Sequence, residues 1–480
     1  MNCRFPLKRG AAIFFVLERL TNSRKKVIFA ETTFENMEIS ELYRLFCEHP
    51  VVTTDSRDCP EGSIFFALKG ASFNGNEFAK SALEKGCAYA VVDEEAYVEP
   101  SNKKYILVDD CLQTLQQLAT CHRRQLGIPI IGVTGTNGKT TTKELIATVL
   151  GERFNVLYTE GNLNNHIGVP KTLLRMTKEH ELAVIEMGAN HPGEIRELVH
   201  IVEPDCGLIT NVGKAHLEGF GSFEGVKRTK GELYDFLSAH RTAQSLFINA
   251  ADDDLTAMAQ ERWHAPSLSD GWHTYSSGKD GRQADVQGEV IACDPYLRFE
   301  WRTCKMPVPQ EIDTHLIGSY NINNALAAIT VGLAFGVSET QIKHALESYV
   351  PSNNRSQLTM TAHNRLVVDT YNANPTSMKA ALENFKSMAV SPKMVILGDM
   401  RELGASSTEE HQRVVDILQE ACFNEVWLVG DEFSKIDSPF RKFHDVDEVK
   451  QALSAQRPEG HYILIKGSNS IRLFQLPELL

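Results

Sequence analysis

Ile130-Ile131-Gly132-Val133-Thr134-Gly135-Thr136-Asn137-Gly138-Lys139-Thr140-Thr141-Thr142-Lys143 runs from an apolar strand into a glycine-rich turn carrying Gly-Lys-Thr. That order of residue types makes a triphosphate cradle. Gly135 and Gly138 let backbone N–H groups of Thr136, Asn137 and their neighbours approach phosphate oxygens. Lys139 reaches the β- and γ-oxygens, the Thr140 hydroxyl is placed for Mg²⁺, and Thr141 continues the first helical turn. The strict pattern has its first glycine at position 133, where this chain has Val133, with Gly132 one place early. The stretch predicts ATP or GTP binding on a strand-loop-helix unit, and that unit calls for an α/β fold.

Working outward, apolar strands recur on the C-terminal side at Val156 to Tyr158, Ala183 to Ile185, Leu208 to Thr210 and Leu246 to Ile248, with helical stretches between them. Such alternation predicts a mostly parallel sheet with ligands at the carboxyl ends of its strands. On the N-terminal side, a helix at Ile39 to Phe46, short strands at Ser63 to Ala67, Ala88 to Val92 and Tyr105 to Val108, and an amphipathic stretch Leu112 to Arg124 form a small α/β module. Beyond Gly318 come an alanine-rich helix, Asn323 to Phe335, and strands at Leu366 to Val368, Met394 to Leu397, Val426 to Val429 and Tyr462 to Ile465, an open fold of Rossmann type. The expected organisation is three domains over 37–125, 126–316 and 317–480, preceded by an extension, 1–36.

Bulk properties narrow the function. The 480 residues suit about three domains. A formal net charge of −13 argues against non-specific attachment to nucleic acid or membranes, so an anionic substrate must be held by local basic groups. The ten cysteines include no C-x-x-C pair and read as reduced core residues. No apolar run reaches the roughly 18 residues of a membrane span, and Glu18 and Arg19 interrupt the only candidate signal segment. A cytoplasmic protein acting on small molecules is expected.

Several side chains could carry chemistry. Glu186 ends an apolar strand in the same domain as the phosphate loop; with Thr140 it gives the one or two protein oxygens that Mg²⁺ prefers. His216 follows another strand, although a lone histidine is more often structural. Lys230, taken alone, reads as a solvated helix lysine. The amide-rich run Gly161-Asn162-Leu163-Asn164-Asn165 can hold peptide or sugar groups, or form a capped loop. In the small module, Ser56 and Arg57, then Lys69 and Asn74, could grip a phosphate or a ring amide, or belong to ordinary turns.

Taken together, Thr134-Gly-Thr-Asn-Gly-Lys-Thr140, the Asn-Leu-Asn-Asn loop, Glu186-Met-Gly-Ala-Asn190, His216-Leu-Glu-Gly-Phe-Gly221, Asn324-Ala-Leu-Ala-Ala328, Asp369-Thr-Tyr-Asn-Ala-Asn-Pro375, Gly398-Asp-Met-Arg-Glu-Leu-Gly404 and Lys466-Gly-Ser468 resemble the Mur ligase family from about Met37 onward. Within it, Tyr-Asn-Ala-Asn-Pro is similar to the ligases that add D-alanyl-D-alanine to UDP-N-acetylmuramoyl-tripeptide. Those that add the third residue have a His-Thr-Pro-type segment there and an Asp-Asn-Pro-Arg signature, absent here, and the folate-extending relatives lack the nucleotide-sugar module. The resemblance implies ATP-dependent ligation through an acyl phosphate, by a monomer. It implies magnesium, as one or two ions, held by Thr140, Glu186, His216 and Lys230, and ATP contacts from Asn321, Asn324, Arg355 and Asp369. It further implies substrate contacts from Ser56, Arg57, Lys69, Asn74, Asn162, Asn164, Asn165, Asn372 and Asn374. Lys139, Glu186, His216 and Lys230 would be catalytic. Lys230 lies 14 residues after His216, the spacing at which relatives carry a carbamylated lysine.

Three positions depart from the family pattern: Tyr320 replaces a frequent histidine, Arg355 follows Asn353-Asn354 where glycine is usual, and Asn469 follows Lys-Gly-Ser where arginine is frequent. Met37 falls where such chains normally start, so 1–36 reads as an upstream mis-assigned start. A ligase for a different amino acid, distinguished by which acceptor triggers phosphate release, and a nucleotide switch, distinguished by turnover without an acceptor, are the competing readings.

Overall fold

The computed structural model describes residues 37–240, 246–263, 272–278, 284–351, 355 and 357–480; the expected extension 1–36 lies outside them. The chain divides into two compact units. One runs to Gln125 and includes Ala334–Gly336; the other comprises Leu126–Leu333 and Val337–Leu480.

In the first unit, four parallel strands, β1 (Val52–Thr53), β2 (Ile64–Phe66), β3 (Tyr89–Val92) and β4 (Tyr105–Leu107), form one sheet in that order. Phe65, Phe66, Val91 and Val92 are buried, and helices α1 (Ile39–Glu48) and α2 (Ala79–Glu84) contribute Leu42 and Phe46, and Ala79 and Ala82, to the core.

The second unit contains two sheets. The larger has nine strands: β5 (Ile130–Thr134), β6 (Val156–Tyr158), β7 (Leu182–Glu186), β8 (Cys206–Ile209), β9 (Leu246–Asn249), β10 (Trp272–Ser277), β11 (Val286–Cys293), β12 (Tyr296–Thr303) and β13 (Met306–Ile317). Their order is β13-β12-β11-β10-β9-β8-β5-β7-β6, parallel except for the last two hairpin pairings. Strands β5, β7 and β8 are buried throughout, as strands covered on both faces must be, and this explains their unbroken apolar runs. The strands over 272–317 lie outside those expected from the sequence, although β12 shows the period-2 pattern plainly: Leu297, Phe299 and Trp301 are buried while Tyr296, Arg298 and Arg302 face outward. Each of those three apolar side chains contributes about 1.5–3 kcal/mol by leaving water.

The smaller sheet, β14 (Gln357–Met360), β15 (Arg365–Asp369), β16 (Lys393–Gly398), β17 (Glu425–Val429), β18 (Arg441–Phe443) and β19 (Tyr462–Lys466), has the order β14-β15-β19-β16-β17-β18, with only β14 antiparallel. Alternation sends Val367, Val395, Leu397, Leu428 and Leu464 to one face, where Met378 and Phe385 cover them. It sends Leu366, Ile396, Trp427, Ile463 and Ile465 to the other, where Val449, Leu453 and Leu476 cover them. A sheet covered on both sides with its parallel strand ends free is the Rossmann-like arrangement expected. Among the described residues no helix is long and apolar enough to cross a membrane, and the nine described cysteines are free.

The loop after β16 is pinned by His411, which is fully buried. Its Nδ1 donates to the Ser407 carbonyl at 2.7 Å and its Nε2 accepts the Met400 amide N–H at 3.0 Å, so the ring is neutral. Burial holds its pKa below the ordinary histidine value. The unfolded chain therefore binds the proton more tightly. The stability from this site is complete above the ordinary value near pH 6.5 and declines as pH falls below it. The melting temperature of the parent should fall more steeply from neutral to mildly acidic pH than that of His411→Gln; equal slopes would assign the loss elsewhere.

Candidate active site

Helix α3 (Lys139–Gly151) starts where β5 ends, and the turn between them needs its glycines. Gly135 has φ of 144° and Gly138 of 78°. A Cβ on Gly135 would lie 2.0 Å from the Thr210 hydroxyl, and one on Gly138 would lie 2.7 Å from Asn324 Oδ1. Asn211 holds the turn from one side: its carbonyl accepts the Thr136 N–H at 2.9 Å, and its side-chain Oδ1 accepts the Asn137 N–H at 3.0 Å. Asn324, on α6 (Asn321–Ala334), braces the other side by accepting from the Thr142 hydroxyl at 3.0 Å while donating to Asn321 Oδ1 at 2.7 Å. Asn321 donates onward to the Ile317 carbonyl at 2.8 Å. Both predicted ATP-contacting asparagines are thus partly committed to bracing the phosphate loop.

Lys139 folds over the turn and donates to the carbonyls of Gly135 and Thr136 at 2.9 and 3.0 Å. Removal from water brings its pKa down to about 8, opposed by the nearby Glu186 and reinforced by Arg355. Thr141 follows on α3, half-buried. Glu186 is fully buried at the end of β7. Its Oε1 accepts from Asn164 Nδ2 at 2.7 Å. Its Oε2 and the buried Thr140 hydroxyl have no hydrogen-bond partner. Two orphaned oxygens at the predicted metal positions fit a hard cation with few protein ligands.

Lys230 lies on α5 (Phe223–Ala239) and is 2% exposed. Its Nζ donates to the Ala189 carbonyl at 3.3 Å and sits 5.4 Å over the Phe220 ring. Burial pushes its pKa well below the ordinary lysine value, and Lys139 adds to the shift against Glu194, Glu232 and Glu186. The solvated-lysine alternative is excluded. His216, with left-handed backbone (φ 51°), precedes α4 (Leu217–Phe220); its ring meets Phe220 edge-on at 6.2 Å. Its Nδ1 lies against the Glu402 carboxylate, whose pKa that contact lowers. Among the described residues no three His, Cys, Asp or Glu side chains form a metal-holding group. The structure brings Lys139, Glu186 and Lys230 into mutual electrostatic range and links His216 to Lys230 through Phe220.

The smaller sheet adds its own strand ends. Asn374 caps α7 (Pro375–Ser387), accepting the Ser377 N–H at 2.9 Å, and its amide reaches Asn137 Oδ1 at 2.8 Å. Arg355 stacks 3.9 Å over Tyr371. Asp369 accepts from Lys466 Nζ at 2.6 Å, and Lys466 also donates to the Asn372 carbonyl at 3.2 Å. The Asn372 side chain bonds locally to the Ala373 N–H. Lys466 and Glu402 were missed as site residues. The sequence shows that Asp369 and Lys466 each end an apolar strand; that the two strands are parallel neighbours in register is seen only in the structure.

The remaining predicted contacts are local in the structure. Asn165 caps the turn at Ile167 and Gly168, and Asn162 is exposed. In the first unit, Arg57 pairs with Asp55 at 2.7 Å, and the Ser56 carbonyl accepts from Lys85. Lys69 bonds Asp93 and Glu94 at 2.9 Å each, and Asn74 donates to Glu94. A cavity of about 540 Å³, whose lining includes Ser277, Ser319, Tyr320, Asn323 and Asn384, opens beside the start of α6 and holds no lysine or arginine.

A phosphate loop at the centre of a parallel sheet, with a Rossmann-like sheet reaching it through Asn374, defines a nucleotide-binding α/β protein of the phosphate-loop class. The sequence matches the Mur ligase family catalytic domain over 50–123, the Mur ligase middle domain over 133–332 and the Mur ligase glutamate ligase domain over 354–469. It is 33% identical over 436 residues, 88% of this chain and 92% of the relative, to UDP-N-acetylmuramoyl-tripeptide--D-alanyl-D-alanine ligase of Bacillus subtilis strain 168. Its fold is similar to MurF from Acinetobacter baumannii, with TM-score 0.78 and 31% identity over 88% of this chain and 92% of that one. It is also similar to MurF ligase from Thermotoga maritima in complex with ADP, with TM-score 0.76 and 26% identity over 89% and 96%. The chain belongs to the Mur ligase family.

Breaking the Lys466–Asp369 pair leaves a carboxylate largely shut from water. Lys466→Met should lower the unfolding free energy by about 3 kcal/mol, read from urea melts; a loss under about 1 kcal/mol would show that solvent reaches Asp369 freely.

Proposed function

We propose that this chain joins D-alanyl-D-alanine to UDP-N-acetylmuramoyl-tripeptide at the expense of ATP, giving the UDP-muramoyl-pentapeptide precursor of peptidoglycan in the cytoplasm. The observation that carries the reading is the convergence on one phosphate loop of a desolvated Lys139, the orphaned Thr140 and Glu186 oxygens, and Asn374 from the smaller sheet. Residues 37–125 would anchor the uridine end through Ser56, Arg57, Lys69 and Asn74. Residues 126–316 would hold ATP, and 317–480 would present the dipeptide, with Asn372 and Asn374 at its edge. The cavity beside Tyr320 suits the base of the nucleotide rather than its phosphates, since it is of ligand size and the charged residues of its lining, Glu289 and Glu383, are acidic.

The tripeptide carboxylate attacks the γ-phosphorus, ADP leaves, and an acyl phosphate forms; the dipeptide amine then attacks the acyl carbon, loses a proton and expels phosphate. Magnesium, when bound, would neutralise phosphate oxygens, held by Thr140, Glu186, His216 and a carbamylated Lys230. Lys139 stabilises charge on the transferring phosphoryl group, which is chiefly a matter of positioning and electrostatics. Lys230 suits carbamylation because its buried amine favours the neutral, CO₂-reactive form. Asn321, Asn324, Arg355 and Asp369 hold the nucleotide side of the cleft.

ATP-dependent phosphate release should require both the UDP-tripeptide and D-alanyl-D-alanine, with the pentapeptide detected by mass; release indifferent to the dipeptide would refute the assignment. Lys139→Met should lower kcat by about 10²–10³. Loading with ¹³C-bicarbonate should give a carbamate ¹³C resonance that Lys230→Ala lacks, and its absence from the parent would remove the carbamate from the site.

A further inference from the structure

Strands β16 and β19 are parallel neighbours, with Leu397 opposite Lys466, and their carboxyl ends are pressed together: a Cβ on Gly467 would lie 2.9 Å from Gly398 Cα. Ser468 staples the two ends, since its N–H donates to the Asp399 carbonyl at 3.2 Å and its hydroxyl accepts the Arg401 N–H at 3.0 Å. Open sheets of parallel strands hold their ligands at this end. Most charged groups here are already engaged. The buried Asp399 carboxylate accepts the N–H groups of Glu432 and Phe433 at 3.0 Å each. Lys466 is 1% exposed and pairs with Asp369, and Arg355 lies over Tyr371. Arg401 stands apart. It is exposed, its backbone is fixed by Ser468, and among the described residues its guanidinium makes no hydrogen bond or ion pair. The carboxylate next to it in the chain, Glu402, lies against His216 instead. Asn469, one residue beyond Ser468, is uncharged where the family frequently has arginine, so the positive charge of this corner comes from the loop after the neighbouring strand.

We propose, resting on the reading that the smaller sheet presents D-alanyl-D-alanine, that Arg401 binds the terminal carboxylate of that dipeptide. In a chain of formal charge −13 this carboxylate, the fixed anion of the acceptor, needs a local cation. A guanidinium meets it with two parallel N–H donors, which sets orientation as well as position and leaves the amine at the other end of the dipeptide free to reach the acyl carbon. The ATP phosphates have a cation of their own in Lys139, folded over the phosphate loop of the larger sheet.

Initial rates of the full chain with D-alanyl-D-alanine, and with its C-terminal carboxamide, as acceptor test it. Arg401→Met should raise the KM for D-alanyl-D-alanine about 10- to 100-fold, while the KM values for ATP and the UDP-tripeptide change less than about twofold. The parent should take the carboxamide with a similarly raised KM, and Arg401→Met should leave that value within about twofold, because the charge the guanidinium would meet is already gone. Arg472→Met removes another exposed arginine just beyond Ser468 and serves as the control for net charge. An unchanged KM for the dipeptide in Arg401→Met, equal rises for dipeptide and carboxamide, or a rise of the same size in Arg472→Met overturns the proposal. A rise in the KM for ATP instead would assign the guanidinium to a phosphate and overturns it as well. A parent that forms no ligated product fails the functional reading and takes this one with it, whereas ligation indifferent to Arg401 fails the proposal alone.

Discussion

The turn at Gly135–Lys139 is polar and left-handed at its two glycines, and it keeps its shape because asparagines grip it from two directions. Asn211, at the end of β8, takes two of its N–H groups, and Asn324, on the helix that opens the C-terminal part of the chain, blocks and braces its far side. A cradle built from backbone N–H groups binds phosphate well only if those groups are held in place beforehand, since reorganising them would consume the interaction. The position of Lys139, the burial of Thr140 and the facing of Glu186 all follow from this grip.

Desolvation is the second theme. Lys139, Glu186 and Lys230 share a region from which water is largely removed, and the two lysines are held well below their ordinary pKa. Charges that would be stabilised by solvent elsewhere are here left to be stabilised by what binds, which is how a site stores affinity for a phosphorylated ligand. The orphaned oxygens of Thr140 and Glu186 express the same constraint in hydrogen-bonding terms.

The smaller sheet meets this region at Asn374–Asn137 and His216–Glu402, contacts in which each side supplies a polar group rather than an apolar surface. Contacts of this kind are weaker and more readily remade than packed cores.

The phosphate loop, the buried strands β5, β7 and β8, and the candidate roles of Lys139, Thr140 and Glu186 were legible in the sequence, because unbroken apolar runs and glycine spacing are local signals. The hairpins over Val286–Ile317 were legible too in the alternation of Leu297, Phe299 and Trp301, but were not read. Lys230 looked like a surface lysine, since nothing in its own neighbourhood says that Ala189 and Phe220 will enclose it; burial is a property of what packs against a helix. Asn164, expected to contact substrate, donates to Glu186 in the structure, a pairing its amide-rich loop did not announce. Asp369 with Lys466, and His216 with Glu402, join residues far apart in the chain, so strand order and domain seating alone decided them. What the sequence determined by itself was the local geometry of phosphate binding; which charges lose their water and which side chains meet was settled by the tertiary structure, because desolvation and long-range pairing depend on neighbours the chain brings together only on folding.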